Sequence, residues 1–298
     1  METRALDVSG ARTARLPRVT SEAWELAHRA AAAGDVQLRP LTSVGDADRI
    51  ARVVAATWGE EQAVPREMVR ALAESGNVAY GAFAGDELIG YVLGWAGVDP
   101  DEGLHVHSHM LAAIPDRRHR GVGYALKLAQ RAQALDQGIA LVRWTFDPLV
   151  ARNAYFNLHK LGAVVDRFER NFYGEMTDSL NRGDRSDRFV VRWDLRQSPG
   201  AWRVSFAGDP AVVRRARDER PERVGDVEGD AAILEIPAEH AALRALDPGA
   251  ARPWRDAVAD AAEACLAHGL VGAGFLRDRS AYVFGRTYDR DPEDATTP

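Results

Sequence analysis

The sequence predicts a mixed α/β protein whose strands mostly neighbour one another along the chain, with a smaller α/β extension at the C-terminus. Three observations carry this expectation. Period-two and helix-spaced apolar segments follow one another irregularly through 298 residues, a Gly-Asp hairpin signal sits at Gly85-Asp86, and one strand leads through a glycine-bearing turn straight into a helix. An apolar share of 46% and a charged share of 28% are those of an ordinary globular chain and exclude collagen-like, coiled-coil and wholly disordered classes.

Residues 1–19 are Arg-rich without periodicity and read as a tail. Ser21 to Ala33 is Ala-rich and apolar enough for a helix. VQLRPLT from Val36 alternates as a strand, and Asp46 or Asp48 can cap a following helix with Ile50, Val53, Val54 and Trp58 at helical spacing. A second helix covers Glu67 to Glu74. NVAYGAFAGDELIGYVLGWAG is a hairpin, LHVHSHMLAAI a strand, YALKLAQRAQALDQG a helix and IALVRWTF a strand. VARNAYFNLHKLG is a helix, AVVDRFERNFYG a long strand and RFVVRWDL another. The composition shifts near Arg196 to Ala201, which divides the chain into a main domain, 20–196, and the extension, 197–298. There Asp218 to Asp230 reads as a solvated loop, AILEIP as a strand, Arg252 to His268 as a helix, and LVGAGFLRDRSAYVFGRT as a hairpin around Asp278.

The chain has no run of about 18 uncharged apolar residues and no secretory signal pattern, so it is expected to be cytoplasmic and free of the membrane. The single cysteine, Cys265, reads as a small buried apolar residue. Only two of the 38 basic residues are lysines, Lys127 and Lys160. Arginine has displaced lysine almost throughout, so an arginine alone is weak evidence for phosphate binding. A net charge of −6 argues against a nucleic-acid partner. An anion site must therefore show as a local reversal of sign.

That reversal occurs in LAAIPDRRHRGVGYALK, Leu111 to Lys127. Here Arg117, Arg118, Arg120, Lys127 and, just beyond, Arg131 stand against Asp116 alone, around Gly121 and Gly123 at a helix start. A helix N-terminus leaves amide N–H groups without intrahelical partners, and glycines admit a ligand close to the backbone, so the turn can cradle phosphate oxygens. A tight strand-to-helix connection with solvated arginines is the competing reading. The Walker string is absent, and a dinucleotide fingerprint fails because Leu126 stands where the third glycine belongs.

The stretch resembles the phosphate-binding signature of the GNAT superfamily, the acyl-CoA-dependent N-acyltransferases: an aliphatic strand, Pro, then R/Q-x-x-G-x-G/A. Arg118-His119-Arg120-Gly121-Val122-Gly123 fits it, with Ile114 and Pro115 in place. Asn153 opening a helix that ends in Lys160-Leu161-Gly162-Ala163 is similar to the family's Asn-to-K-L-G-F segment, and the element order agrees from Val36 to Arg196. WTFDPLVARNAYFNLHKLGA followed by NFYGEMTD looks like a bacterial branch that carries a C-terminal extension, some members of which are linked to N-succinyl amino acids. The resemblance implies a GNAT-like, mostly antiparallel central sheet flanked by helices. It also implies acetyl-CoA or another acyl-CoA as co-substrate, held by Ala113, Ile114, Arg118, His119, Arg120, Gly121, Val122, Gly123, Tyr124 and Asn153.

Amide formation from a thioester needs a neutral amine, a positioned base and a proton for the departing thiolate. His105, His107 and His109 share one face of a strand by its period of two, on the strand that borders the thioester in GNAT proteins. His109 is the candidate base, with His107 relaying through water. A packed or surface role is the competing reading. As metal ligands the three span about 13 Å, too far for bonds of about 2.0 Å to one zinc, so no metal is expected. The family often places a Tyr before K-L-G as the acid. Here that residue is Leu158, and Tyr155 is the nearest replacement, with Tyr124 and Tyr173 as further candidates. Asn157 and Glu175 could line the acceptor pocket. The expected function is transfer of an acetyl, succinyl or similar group from CoA to the amine of a small molecule, an amino acid among them. The alternative is an acyl-CoA-binding or sensing module, and a protein-modifying acetyltransferase ranks third. The extension would cap the acceptor side or mediate a homodimer.

Overall fold

A computed structural model of the chain describes residues 16–59, 64–77, 79–114, 121–176, 183–200 and 208–286. In chain order its elements are α1 (Leu16–Ala33), β1 (Gln37–Leu41), α2 (Val44–Trp58), α3 (Arg66–Glu74), β2 (Ala79–Ala84), β3 (Glu87–Asp99), β4 (Gly103–Ala113), α4 (Val122–Asp136) and β5 (Leu141–Phe146). There follow α5 (Ala151–Ala154), which runs on into a π-helical turn (Tyr155–Lys160), then β6 (Val164–Glu169), β7 (Arg188–Asp194), β8 (Ala211–Arg215), β9 (Pro221–Arg223) and β10 (Ala231–Glu235). The chain closes with α6 (His240–Leu246), α7 (Pro248–Ala251), α8 (Pro253–Ala267), β11 (Val271–Leu276) and β12 (Ala281–Gly285). No described helix is long and apolar enough to cross a membrane.

The described strands form one sheet in the order β1-β2-β3-β4-β5-β7-β6-β11-β12-β10-β8-β9. Its ladders are antiparallel except β4 with β5 and β10 with β8. Helices α1 and α4 pack together on one face of the β1–β4 half, and α2 with α3 covers the other.

Several boundaries differ from the sequence reading. Helix α1 opens at Leu16, inside the segment read as a tail. Ser43, not Asp46 or Asp48, caps α2. Its hydroxyl accepts from the Asp46 amide at 3.1 Å while the Asp46 carboxylate accepts from the Ser43 amide at 3.0 Å, a reciprocal capping box. The long strand expected through Gly174 ends at Glu169, and β8, β9, α6 and α7 had no legible signal.

The strands after residue 197 extend the same sheet, and the packing does not break there. One buried cluster runs from Val142, Trp144 and Trp193 through Phe189 and Leu158 to Trp254, Tyr282 and Phe284. The Phe189 and Tyr282 rings meet edge to face at 5.1 Å, and the Tyr282 hydroxyl donates to the Pro148 carbonyl at 2.7 Å. The joint in the sheet itself is narrow: β11 meets β6 at Gly272↔Val165 alone. A side chain at Gly272 would meet Val165 at 3.0 Å, so a glycine is what lets the two strands close up.

Candidate active site

Strands β4 and β5 pair at Val106↔Val142 and His107↔Arg143 and then run on, to Ala113 and Phe146, with no further paired residues among those described. The sheet therefore opens between them. β4 bulges at the same level. Leu93 pairs with Met110 and Gly94 with Ser108, which leaves His109 as the extra residue. Gly94 makes this geometry fit, because a Cβ there would stand 2.6 Å from the His107 carbonyl oxygen. A glycine inside an otherwise regular strand was the one sequence signal for the bulge.

His109, two positions on, shares the face of His107. The Trp95 ring lies 5.2 Å from His107 and 4.9 Å from His109, and the two imidazoles are 6.0 Å apart. His105 stands over Gly97 on the same face. Beyond the bulge the alternation is inverted, so Met110 and Ala112 pack with Tyr91 and Leu93, while Leu111 and Ala113 pack with Val122 and Leu126. Arg143 and Thr145 of β5 continue the histidine face. Arg143 is tied to Glu102 and, at 3.0 Å, to Asp166. The Tyr173 hydroxyl lies 3.1 Å from Thr145 Oγ1.

Burial, helped by the charges of His109, His105 and Lys127, pushes His107 down to about 4. Burial alone lowers His109. His107 is thus neutral at pH 7, and His109 is held below the ordinary imidazole value. Between the ordinary value of 6.5 and about 4, the unfolded chain binds a proton that the folded chain refuses, so stability rises with pH across that window. His107→Phe is expected to flatten this slope in urea unfolding followed from pH 4 to 7; an undiminished slope would contradict the assignment.

The glycine turn begins α4 as expected. Gly121 occupies the cap with φ 78°, a left-handed conformation that favours glycine. The first intrahelical bond runs from the Ala125 amide to the Gly121 carbonyl at 3.0 Å, so the amides of Val122, Gly123 and Tyr124 precede it and can face a ligand. Among the described residues, a Cβ at Gly123 would find nothing nearer than Leu111 Cδ2 at 3.8 Å. The Val122 side chain is fully buried and contributes its backbone only. Ile114 spends its amide on the Ile89 carbonyl at 2.9 Å, and Ala113 lies just before it at the end of β4. Arg118, His119 and Arg120 lie outside the described residues.

The charge count around this turn needs correction. Lys127 is 2% exposed and Arg131 6%. The first donates to Ser108 Oγ at 2.8 Å and to Gln130 Oε1 at 3.1 Å, the second to the Gln197 carbonyl at 3.3 Å. Neither is a surface cation.

The remaining candidates separate into different surroundings. Val150, not Asn153, stands at the cap of α5, and Asn153 is half-buried one position before Ala154. Tyr155 stacks on His159 at 4.6 Å and lies 5.6 Å beneath the Arg277 guanidinium of the C-terminal hairpin, a cluster distinct from Trp95, His107 and His109. Leu158 is fully buried, Asn157 is buried, and Glu175 is exposed. Tyr124 packs half-buried on α4, which leaves Tyr173 as the candidate tyrosine on the histidine face. Cys265 is buried, which pushes its thiol up to about 12. Among the described residues no group of three or more His, Cys, Asp or Glu could hold a metal ion.

A helix start whose first amides precede the intrahelical ladder, beside a parted strand pair, is the geometry that suits a phosphate-bearing ligand with an extended arm. Residues 49–162 match the model of the acetyltransferase (GNAT) family. Among solved structures, a protein assigned to the GNAT family from Desulfovibrio desulfuricans is similar at 20% identity and a TM-score of 0.42, over 54% of this chain and 99% of that one. The ribosomal-protein-S18-alanine N-acetyltransferase of Escherichia coli is similar at 14% identity and 0.41, over 55% and 96%. A Salmonella typhimurium protein solved with its cofactor acetyl-CoA is similar at 15% identity and 0.43, over 54% and 94%. No curated protein matches the chain.

Proposed function

We propose that the protein is an acyl-CoA-dependent N-acyltransferase that moves an acetyl, succinyl or similar group to the amine of a small molecule, amino acids being the first class to test. The observation that carries this reading is the opening between β4 and β5, with the amides of Val122, Gly123 and Tyr124 near one end and His109 at the bulge. Acyl-CoA supplies the acyl group as an activated thioester. The amides of Val122, Gly123 and Tyr124 hold its phosphates at the helix start. His109 takes a proton from the attacking amine, and Trp95 fixes the imidazole by ring contact at 4.9 Å. His107, held neutral, relays through water. Arg143, Thr145 and Tyr173 line the acceptor side.

His109→Ala is expected to lower kcat about 100-fold or more and to leave acyl-CoA affinity within about threefold. In the wild type the acid limb of the pH profile should lie below pH 6.5, because burial lowers His109 from that value. CoA release measured across a panel of amino acids and other amines, with acetyl- and succinyl-CoA, tests the reading. Tight acyl-CoA binding without turnover on any acceptor overturns it in favour of an acyl-CoA-binding or sensing module, the second reading, which the buried Leu158 in the family's acid position favours.

A further inference from the structure

Lys127 stands at the apex of the opening in the sheet. Its ammonium lies 2.8 Å from Ser108 Oγ on β4 and 3.7 Å from the centre of the Trp144 ring on β5, with the Trp193 ring at 6.0 Å. Ser108 and Trp144 are the residues that follow His107↔Arg143, the last β4–β5 pair. The side chain thus bridges the first step at which the strands part. It is 2% exposed, and among the described residues no carboxylate pairs with it. Its three N–H groups are met by a hydroxyl, the Gln130 amide oxygen and an indole face, all neutral. A buried charge held by neutral partners alone is costly, and an apolar side chain of the same volume would fill the space at lower cost. Such a charge is of use where negative charge develops during the reaction.

Ser108 adds a second observation. Its oxygen accepts from Lys127, which leaves its own hydrogen to donate, and none of the described groups accepts it. We propose that the Lys127–Ser108 couple stabilises and protonates the CoA sulfur as it departs, with Lys127 as the positioning residue and Ser108 Oγ as the atom that meets the sulfur. This rests on the acyltransferase reading above. As the acceptor nitrogen bonds to the carbonyl carbon, the C–S bond breaks and its electron pair goes to sulfur. The sulfur takes the Ser108 proton, and Ser108 takes one from Lys127. The amine proton leaves through His109 to solvent, and Lys127 regains a proton from solvent when the free thiol departs. Gln130 borders a cavity of about 20 Å³ that Asn77, Gln133 and Gln137 also line, room for one water on that return path. Burial lowers Lys127 well below the ordinary lysine range, which makes it a readier donor. Its charge is felt by His107, across β4. The couple fills the role that Leu158 leaves open.

The test uses free CoA bound to the whole protein and follows the ultraviolet absorbance of the thiolate against pH. In the wild type the bound thiol is expected to titrate about one unit or more below free CoA, as thiols beside lysine do. K127M should return it to the free value, and S108A should raise it part of the way. K127R keeps the charge without a transferable proton, so it should retain the shift in the thiol yet leave kcat about 100-fold low, with KM for acyl-CoA little changed. A wild-type thiol that titrates like free CoA, or a shift that survives both K127M and S108A, overturns the proposal. If K127M does not fold, S108A and K127R decide it by the same readout. Failure of the wild type to bind CoA at all would remove the acyltransferase reading itself.

Discussion

Gly123→Trp is expected to abolish CoA binding while the protein stays folded. The position is the second residue of α4, immediately after Gly121 and Val122, and its amide precedes the first intrahelical bond. Among the described residues the nearest atom to a Cβ there is Leu111 Cδ2, at 3.8 Å, an ordinary contact. An indole placed on that Cβ occupies the space through which phosphates approach the amides, so the loss falls on the ligand and not on the core. We expect Kd for CoA to rise about 100-fold or more, about 2.7 kcal/mol of lost binding. Gly123→Ala should cost less affinity and gain up to about 1 kcal/mol in stability, because alanine is the better helix former. Calorimetric titration with CoA and thermal unfolding separate the two effects. Unchanged affinity in the tryptophan variant would place the phosphates elsewhere.

The second large effect is expected at Arg255. From α8 this guanidinium donates to both oxygens of Asp147, at 2.6 and 2.7 Å, and to both of Asp184, at 2.9 and 2.7 Å. All three side chains are largely buried, at 8%, 13% and 12% exposure. Arg255→Ala leaves two carboxylates short of their main partner; among the described residues Arg244 at 3.0 Å remains as a cation beside Asp184 and Arg188 at 4.0 Å beside Asp147. The expected cost is about 3 kcal/mol or more, read from urea unfolding at pH 7. The pH dependence gives a second signature. Burial would raise Asp184, but the hydrogen bonds and charge of Arg255 outweigh it and hold the carboxyl below its ordinary value. Its contribution is present above about pH 4 and is lost as pH falls through the folded value, since the unfolded chain then binds the proton more readily. The alanine variant should therefore lose less stability than the wild type on acidification. A wild-type acid slope in the variant would show that the pair does not govern it.

What could be read from the residues alone was whatever is local. Gly85-Asp86 fixed a hairpin, and Gly121 with Gly123 fixed a helix start, because a left-handed φ or an open amide is written in one or two side chains. The three histidines share one face by simple alternation, which holds through His109; the bulge opposite Gly94 inverts the pattern only beyond it, so that Met110 and Ala112 take the same face. Depth was less legible. Lys127 and Arg131 entered a surface charge count, whereas the helix turns both inward, and nothing in a charge sum distinguishes a solvated cation from one beneath Trp144. By spacing alone Tyr155, one turn before Leu158, is the nearest substitute acid. The π-helical turn and the C-terminal hairpin instead set it beneath Arg277, a neighbour more than a hundred positions away. The short strands β8 and β9 had no signal, because three to five residues of mixed charge do not make a pattern until a neighbouring strand supplies the ladder.

The narrow joint at Gly272↔Val165 also changes which backbone is left unpartnered. Without the strands after residue 197, β6 would end the sheet and offer the N–H and C=O groups around Val164 and Val165 to any other extended chain, a template for aggregation. With them in place, the rim on that side is β9. It has three residues, opens on Pro221 and carries Glu222 and Arg223, so it has little length, one missing donor and two charges to present to a stranger. The C-terminal segment thus acts as a solubility device as well as a wall of the core, and it exchanges an adhesive edge for one that repels pairing.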